Sequence, residues 1–528
     1  MTNSINEVEK ADVFFVIGSN TTAQHPLIGS RLINAIEEGA RLILVDPREI
    51  QLAEFAELHL RQNIGTDVAV LNGIMNIIIE ENLFDKKFVE TRTEGFDELK
   101  SVVSRYTPRV VEMISGIRAH DLEEAARIYA QADAAMILYA MGITQHTTGT
   151  DNVKSCANLA MLTGNMGKPS TGVNPLRGQN NVQGACDMGC LPVVYSGYQK
   201  VIDESVKNKF EQAWGVEGLD DTAGLTITDM MDSAQKGDLK FLYVMGENPM
   251  MSDPDSTSIE QALSNLDFLV VQDIFLSETA ELADVVLPAA SFAEKSGTYT
   301  NTERRVQFSE KAIEPPGQAR ADWEIICDIC YLSGYEMNYR SPDDILVEIN
   351  ELTPSYAGIT PERLKEGFGL QWPCPNVEHP GTPYLHKDQF TKGLGTFFPC
   401  EFKPVSEVPD DEYDFLLTTG RIYYHFHTGT MTRRTSILDR EAPSPLVEIN
   451  PADAQRLGIK NDDLVELTSR RGSIRLKAEV TQRVPRRVVF STFHFHEASV
   501  NLLTNPVHDP VAKIPEYKGC AVKIRRCA

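Results

Sequence analysis

Residues 172–189 read GVNPLRGQNNVQGACDMG, and the interpretation of the whole chain starts from them. They combine four glycines and five carboxamide side chains with one cation, Arg177, and no helical or strand period fits them. Glycine lets a backbone approach a ligand closely, carboxamides match the edges of heterocycles, and the arginine fork fits a carboxylate. A plain Gly/Asn-rich turn is the alternative. The position between two apolar segments favours a buried ligand-binding loop.

Length and charge set the class of protein. With 528 residues the chain is too long for one core, and three or four domains are expected. The formal net charge of −25 argues against nucleic acid as a partner. No apolar run approaches the roughly 20 residues of a membrane span, and the first residues carry neither a twin arginine nor an apolar signal region. We therefore predict a cytoplasmic protein without a membrane span.

The nine cysteines are scattered along the chain. Cys327 and Cys330 form a CxxC pair within DWEIICDICYL, which is more typical of a buried amphipathic helix than of a metal or redox site. Because the sequence contains no cluster of four cysteines, we expect no iron–sulfur cluster in it.

The first elements predict a βαβ unit. Residues 13–17 form an apolar run that ends at Gly18-Ser19-Asn20, a helical pattern covers residues 27–38, and residues 42–45 form a second apolar run. The turn lacks GxGxxG, so the usual fingerprint for NAD is absent. Asp46 follows the second strand, where an acid can hydrogen-bond a ribose or simply serve as a turn residue.

A repeat supports the ligand-binding interpretation. The Gly-x-Asn pattern after the first strand returns at Gly246-Glu247-Asn248, and Asp273 corresponds to Asp46. Residues 53–60 likewise match residues 280–287, at an offset of 227 or 228 throughout. We predict two related α/β modules, each with a nucleotide-sized crevice at its strand ends, for two nucleotides or for one ligand with two similar halves.

Further predictions concern the local structure of three segments. Thr66 is expected to cap a helix that Asp67 opens at residue 67 and that runs to about residue 81. Residues 299–301 could form a polar loop, and Arg304-Arg305 is interpreted as a solvated pair or a contact to another subunit. Residues 334–400 are interpreted as linker and covering loops.

The C-terminal part changes character after residue 414. Short β-type runs occur at residues 415–417, 446–449, 464–467, 473–478 and 488–491, with one short helix at 451–458. This pattern predicts a small β-barrel with a helix. Two His-x-His pairs lie here, His425/His427 and His494/His496, and because residues i and i+2 of a strand face the same side, a zinc site stays an alternative.

The segment TGNMGKPSTGVNPLRGQNNVQGACDMG, residues 163–189, resembles molybdenum- or tungsten-dependent formate dehydrogenases of the molybdopterin-guanine-dinucleotide oxidoreductase family. The resemblance extends from residue 1 to the C-terminus, and Arg-Gly-Gln-Asn-Asn is its formate-specific part. It implies two related Rossmann-like parallel-sheet α/β/α modules and a C-terminal barrel of the double-psi type. The expected domains are 1–179, which binds guanine dinucleotide, 180–384, which is incomplete and has an insertion near 291–320, and 385–528.

The resemblance also implies the reaction and its residues. Formate is oxidised to carbon dioxide, or the reverse, at a bis-molybdopterin guanine dinucleotide centre with molybdenum or tungsten, and Arg177 binds formate. Arg421 is suited to pyrophosphate, Lys518 to a phosphate, and Asp67 to guanine or, alternatively, only to a helix start. The implied cofactor-binding residues are Asn20, Asp46, Arg48, Gly65, Asp67, Met141, Gly142, Gln145, Gly178, Gln179, Gly246, Asn248, Ser252, Asp273, Thr419, Arg421, His425, Thr428, Asn501, Asn505, Tyr517 and Lys518.

The family pattern contains parts that this sequence does not. It begins with a cysteine-rich iron–sulfur domain, followed by a metal-ligating cysteine or selenocysteine directly before a histidine, whereas the first cysteine here is Cys156. We therefore expect no metal ligand in this chain, which would be a C-terminal portion of a selenoprotein or one half of a split gene, inactive alone. Expected partners are the iron–sulfur portion and an electron-transfer subunit.

Three other functions stay open at this point. Another oxidoreductase of the same family, such as a nitrate reductase, is disfavoured by Arg177 followed by Gln179-Asn180-Asn181. A non-catalytic cofactor-binding protein and a zinc hydrolase that uses the paired histidines are the alternatives of a different class.

Overall fold

The computed structural model describes residues 1–527 and divides them into two compact units. One unit comprises residues 1–178, 251–257 and 384–527, and the other comprises 179–250 and 258–383. The predicted fold class, α/β with a C-terminal barrel, is confirmed. The division into three domains stays a prediction. No helix among the described residues is long and apolar enough to cross a membrane.

The first unit contains a five-stranded sheet in which all strands are parallel. Its strands are β1 (Val13–Ile17), β2 (Arg41–Val45), β3 (Leu58–Leu60), β4 (Ala135–Tyr139) and β5 (Gly172–Pro175), in the spatial order β3-β2-β1-β4-β5. The first, second and fourth of these match the apolar runs of the sequence. Strands that are apolar on both faces are expected when helices cover both sides of a sheet.

Two apolar clusters bury the two faces of this sheet. Phe14 and Val16 join one cluster, while Phe15 and Ile17 join the other, as the alternation of a strand requires. The helix Pro26–Glu37 covers the first face. Six helices cover the second face. They are Asp67–Glu80, Lys86–Arg92, Phe96–Val103, Pro108–Ser115, Ala119–Ala130 and Gly149–Leu162.

The second unit contains a smaller parallel sheet. Its strands are β6 (Phe241–Met245), β7 (Phe268–Asp273) and β8 (Val285–Pro288), in the order β8-β7-β6. The predicted repeat is confirmed at the level of single hydrogen bonds. The Gly18 amide donates to the Val45 carbonyl at 3.0 Å and the Gly246 amide to the Gln272 carbonyl at 2.9 Å, and both glycines have a positive φ.

The second unit also contains a β-hairpin and several helices. The hairpin consists of β9 (Gly297–Thr300) and β10 (Arg305–Ser309). The main helices are Val182–Asp187, Glu204–Trp214, Ile227–Lys236, Asp322–Leu332, Pro342–Leu352 and Pro361–Glu366.

The C-terminal residues form a closed barrel of six strands. They are β11 (Phe415–Gly420), β12 (Leu446–Ile449), β13 (Leu464–Thr468), β14 (Ser473–Val480), β15 (Val488–Thr492) and β16 (Cys520–Arg526). The helix Pro451–Leu457 is present as expected. The last strand was not predicted, because the charges in CAVKIRR obscure its alternation. The inward side chains Cys520, Val522 and Ile524 nevertheless complete the barrel core.

Five local predictions were wrong. Residues 172–189 are not uniformly irregular, since they contain β5 and the helix Val182–Asp187. Thr66 does not cap the helix, because its hydroxyl donates to the Asn63 carbonyl at 2.7 Å instead. Residues 334–400 contain two helices, Pro342–Leu352 and Pro361–Glu366.

The fourth concerns the CxxC helix and the fifth the arginine pair. On the helix Asp322–Leu332 only Ile325 is buried, and Leu332 is 84% exposed, so the helix is not a core helix in the described chain. Arg304 is buried rather than solvated. Its guanidinium donates to the carbonyl oxygens of Trp372 and Thr382.

Candidate functional site

The carboxyl ends of the parallel strands bring several predicted residues to one edge of the first sheet. Asn20 follows β1, Asp46 follows β2, and Met141 to Gln145 follow β4. Arg177 and Gly178 follow β5. In open parallel sheets this edge is where ligands bind, so the topology gives these side chains a common neighbourhood.

Two of the strand ends are packed backbone to backbone. The Gly142 amide donates to the Gly18 carbonyl at 3.0 Å. A Cβ added to Gly142 would lie less than 3.0 Å from three backbone atoms of Gly18. Because these are backbone atoms, no side-chain rotation can remove the clash. Gly142 is therefore required by space, not by its φ angle.

Replacing Gly142 by alanine is expected to lower the free energy of unfolding by about 1–3 kcal/mol, because the two strand ends must separate. Thermal unfolding of the cofactor-free protein measures this. Gly297→Ala is the matched control, since an added Cβ at Gly297 meets no atom within 4 Å. Equal unfolding temperatures for the two variants would contradict the packing argument.

Asp46 is a buried carboxylate at the end of β2. Its side chain is 8% exposed and accepts a hydrogen bond from the Arg48 amide at 2.9 Å. Burial raises the pKa of Asp46 to about 6, while the charges of Arg48 and Lys518 act in the opposite direction. An acid in this position can accept hydrogen bonds from ribose hydroxyls.

Arg48 is engaged by the barrel. One of its terminal nitrogens donates to both oxygens of Glu448, at 2.8 and 2.9 Å, and its guanidinium lies 3.4 Å from the ring centre of Phe490. Its Nε has no partner. Arg48 therefore has an evident structural role, and its contact with a cofactor stays a prediction.

Lys518 and Arg421 are two cations in buried surroundings. Lys518 Nζ donates to the Thr419 carbonyl at 2.6 Å, and burial, followed by the charge of Arg421, lowers the pKa of Lys518 to about 7. Arg421 donates to Gln24 and, at 3.0 Å, to the Nε2 atom of His427. Burial lowers the pKa of Arg421 to about 10.

Neither cation has an anionic partner within 4.0 Å in the described part of the chain. Buried charge is costly unless it is paired. A phosphate or pyrophosphate would supply the missing negative charge and accept the charge-assisted hydrogen bonds. The donor set therefore fits a dinucleotide ligand.

The segment before Lys518 is fixed by a carboxylate that sequence reasoning missed. Glu516 is fully buried and accepts hydrogen bonds from the amides of Thr147 at 3.3 Å and Ser406 at 2.9 Å, and His146 Nδ1 lies at 3.5 Å. Burial opposes ionisation, yet these donors lower the pKa of Glu516. No local sequence pattern predicts that Glu516 holds this segment, because its partners lie 110 and 369 residues away.

Tyr517 and two predicted asparagines organise nearby backbone. The Tyr517 hydroxyl donates to the Ser252 carbonyl at 2.9 Å, and the Asn501 amide donates to the Met251 carbonyl at 2.8 Å. The Asn505 amide donates to the Ser406 hydroxyl at 2.8 Å. These amides already have protein partners, so their part in ligand binding stays a prediction.

Asp67 and Gly65 lie at the start of the helix Asp67–Glu80. Asp67 is 3% exposed, accepts from Gln62 Nε2 at 3.1 Å, and has a pKa raised by burial. Gly65 has a φ of 78° and packs against Val405. The buried acid could accept from a guanine edge as well as favour the helix start.

The histidines of the barrel are engaged in its loops. Both ring nitrogens of His425 have partners, the Thr432 hydroxyl at 3.2 Å and the Ala442 carbonyl at 2.8 Å. Within residues 1–527 no three His, Cys, Asp or Glu side chains are placed to hold a metal ion. The zinc alternative therefore finds no support in these contacts. Thr428 lies nearby, with its hydroxyl 3.1 Å from that of Thr430.

The second unit holds the remaining predicted residues. Asn248 accepts from the Thr279 amide and hydroxyl at 3.2 and 2.7 Å, and Asp273 accepts from the Ile274 amide at 2.6 Å. Gly246 has a φ of 63°, and Gln179 is exposed. Gly246, Asn248 and Asp273 repeat the strand-end arrangement of the first sheet.

The parallel sheets, the barrel and the buried cations are compatible with a protein that binds a dinucleotide. The family model "Molybdopterin oxidoreductase" matches residues 1–331, and the model for a molybdopterin dinucleotide binding domain matches residues 415–521. The chain belongs to the molybdopterin oxidoreductase family, so the predicted membership is confirmed and the cofactor class is molybdopterin dinucleotide.

Two relatives place the chain within the family, and one solved structure shares its fold. It is 53% identical to "F420-dependent formate dehydrogenase subunit alpha" of Methanocaldococcus jannaschii, over 100% of this chain and 78% of the relative. It is 42% identical to "Formate dehydrogenase H" of Escherichia coli, over 100% of this chain and 74% of the relative. The structure of acetylene hydratase from Pelobacter acetylenicus has a TM-score of 0.78 at 21% identity, covers 98% of this chain and 78% of that one, and shows the shared fold.

Proposed function

We propose that this chain is the catalytic subunit of a formate dehydrogenase, which oxidises formate to carbon dioxide or catalyses the reverse reaction. The observation that carries this proposal is the 53% identity to a formate dehydrogenase alpha subunit over the whole chain. Formate oxidation releases one proton and two electrons, and the bound metal–pterin group supplies the redox chemistry.

Arg177 is the residue that we assign to formate. It is half-buried and follows β5 at the ligand-binding edge of the sheet. Burial raises the pKa of Tyr139, at the end of the neighbouring strand, and the charge of Arg177 acts in the opposite direction. A guanidinium can hold a carboxylate with two parallel hydrogen bonds. This grip fixes the direction of the formate C–H bond.

The dinucleotide is assigned to the buried polar residues of the first unit. Lys518 and Arg421 would bind phosphate, Asp46 would accept from ribose hydroxyls, and Asp67 would accept from guanine. The repeated strand-end arrangement of the second unit supports a second dinucleotide, and thus a bis-molybdopterin guanine dinucleotide centre of molybdenum or tungsten. The proposal includes an electron-transfer partner subunit and a cytoplasmic location.

The test is the activity of the native holoenzyme, purified with its partner subunits. Formate should reduce F420, the acceptor in the name of the M. jannaschii relative, and the sample should contain pterin with molybdenum or tungsten. Nitrate reduction without formate oxidation would identify another member of the family. Bound cofactor without either activity would favour a non-catalytic cofactor-binding protein.

A further inference from the structure

His427 is a loop residue that none of the assignments above uses as a site residue. It has a φ of 49°, in the left-handed region that non-glycine residues seldom adopt. His494 holds this conformation, since its Nδ1 donates to the His427 carbonyl and its Nε2 accepts from the Ile422 amide at 3.1 Å. A strained backbone that its surroundings hold in place is a recognised mark of functional positions.

The His427 ring contacts two segments of the first unit, that of Arg421 and that of Arg177. Its Nε2 lies 3.0 Å from Arg421 Nη1, and because arginine can only donate, Nε2 is the acceptor and the imidazole is neutral. Burial, followed by the charge of Arg421, lowers the pKa of His427 to about 4, which agrees with a neutral ring.

The same ring lies against Gly178, the residue directly after Arg177. A Cβ added to Gly178 would lie 2.6 Å from His427 Cε1 and 3.0 Å from Nε2, so the ring packs directly against the Gly178 backbone. Gly178 does not have a positive φ, so the absence of a side chain there serves this ring contact.

We propose that His427 is a positioning residue that fixes the Gly178 peptide and thereby the direction of the Arg177 side chain, with Arg421 as its anchor. The inference rests on the proposed role of Arg177 in formate binding. If the Gly178 peptide is fixed, the neighbouring Arg177 side chain has fewer orientations open to it. Less conformational entropy of Arg177 is then lost when substrate binds. The side chain of His427 does not itself touch formate in this scheme.

The experiment compares His427→Leu and His427→Gln in the holoenzyme. Leucine removes the acceptor for Arg421, whereas glutamine keeps an acceptor for it. For His427→Leu we expect a KM for formate raised about tenfold with kcat changed much less, and partial recovery in His427→Gln. Cofactor content should equal that of the wild type in both variants.

Hydrogen exchange gives a readout that does not depend on activity. In His427→Leu the peptide covering residues 172–182 should exchange faster than in the wild type. His120→Leu is the matched control, because His120 is 82% exposed and contacts neither arginine. That control should leave both KM and exchange unchanged.

Three outcomes would overturn the inference. They are an unchanged KM together with unchanged exchange in His427→Leu, a loss of cofactor as large as that in Arg421→Ala, or equal defects in the leucine and glutamine variants. The proposed function fails separately, if the wild type does not oxidise formate. In that case the exchange of residues 172–182 alone decides whether His427 holds the Arg177 segment.

Discussion

Replacing Arg177 by methionine is expected to lower kcat/KM for formate by about 10²–10³-fold, the loss of about 2–4 kcal/mol that follows removal of one positioned donor group. Methionine keeps much of the length and volume but removes the charge and the fork. Arg177→Lys keeps the charge and loses only the paired hydrogen bonds, so it should lie between the wild type and Arg177→Met. Steady-state kinetics of the holoenzyme, normalised to bound pterin, measure all three.

The control for Arg177 is Arg118→Met, because the Arg118 side chain is 78% exposed and pairs with Asp121 on the surface. Its kcat/KM should match the wild type. An Arg177→Met enzyme with full activity and full cofactor content would exclude Arg177 as the formate-binding residue. A loss of cofactor in that variant would instead make Arg177 a cofactor contact.

The sequence predicts the sheets well because they depend on short-range patterns. The strands β1, β2 and β4 contain continuous apolar runs, whereas β5, with the sequence GVNP, does not and was missed. The matched offsets of Gly18 with Gly246 and of Asp46 with Asp273 reflect the same hydrogen bonds in both modules. Five of the six barrel strands are short runs rich in apolar and β-branched residues between turns, which is enough for them to be found. These features need no knowledge of which distant residues meet.

What the sequence does not reveal are partners that lie far apart in the chain. Arg48 pairs with Glu448 across 400 residues, and Gln24 contacts Arg421 across 397. The same holds for Arg304, whose partners lie 68 and 78 residues later and turn an apparent surface charge into a buried one. His427 was considered only as a metal ligand and as part of residues 418–429, which resemble the family loop around the cofactor. Its contact with Gly178 exists only after folding.

Replacing Lys518 by methionine should affect the cofactor-free and the cofactor-bound protein in opposite directions. The pKa of Lys518 is about 7 in the folded protein against an ordinary value of 10.5, so between these pH values the unfolded chain holds a proton that the folded protein lacks. Stability of the wild type therefore rises with pH across this window, and the full penalty is present below pH 7. At pH 7, Lys518→Met should raise the free energy of unfolding by about 2–4 kcal/mol, less than the full pKa shift implies because Asp46 loses a nearby cation.

The gain should shrink as pH rises through 10.5, because well above this value the lysine is neutral in both states. Chemical denaturation of the cofactor-free protein at several pH values measures it. The matched control is Lys523→Met, since Lys523 is 37% exposed and pairs with Glu412 at 3.0 Å on the surface. Its free energy of unfolding at pH 7 should lie within about 1 kcal/mol of the wild type. A cofactor-free Lys518→Met protein less stable than the wild type would show that the bond to the Thr419 carbonyl outweighs the buried charge.

In the holoenzyme the same change should lower dinucleotide occupancy, because a charge-assisted hydrogen bond to phosphate contributes about 1.5–3 kcal/mol, or about 10–100-fold in affinity. Measurement of guanine nucleotide released from the purified enzyme gives the occupancy. A residue that destabilises the empty protein and stabilises the loaded one is explained by ligand binding and not by folding. Lys518 is expected to combine both effects, since its charge is buried without a carboxylate partner and lies where the anionic ligand is proposed to bind.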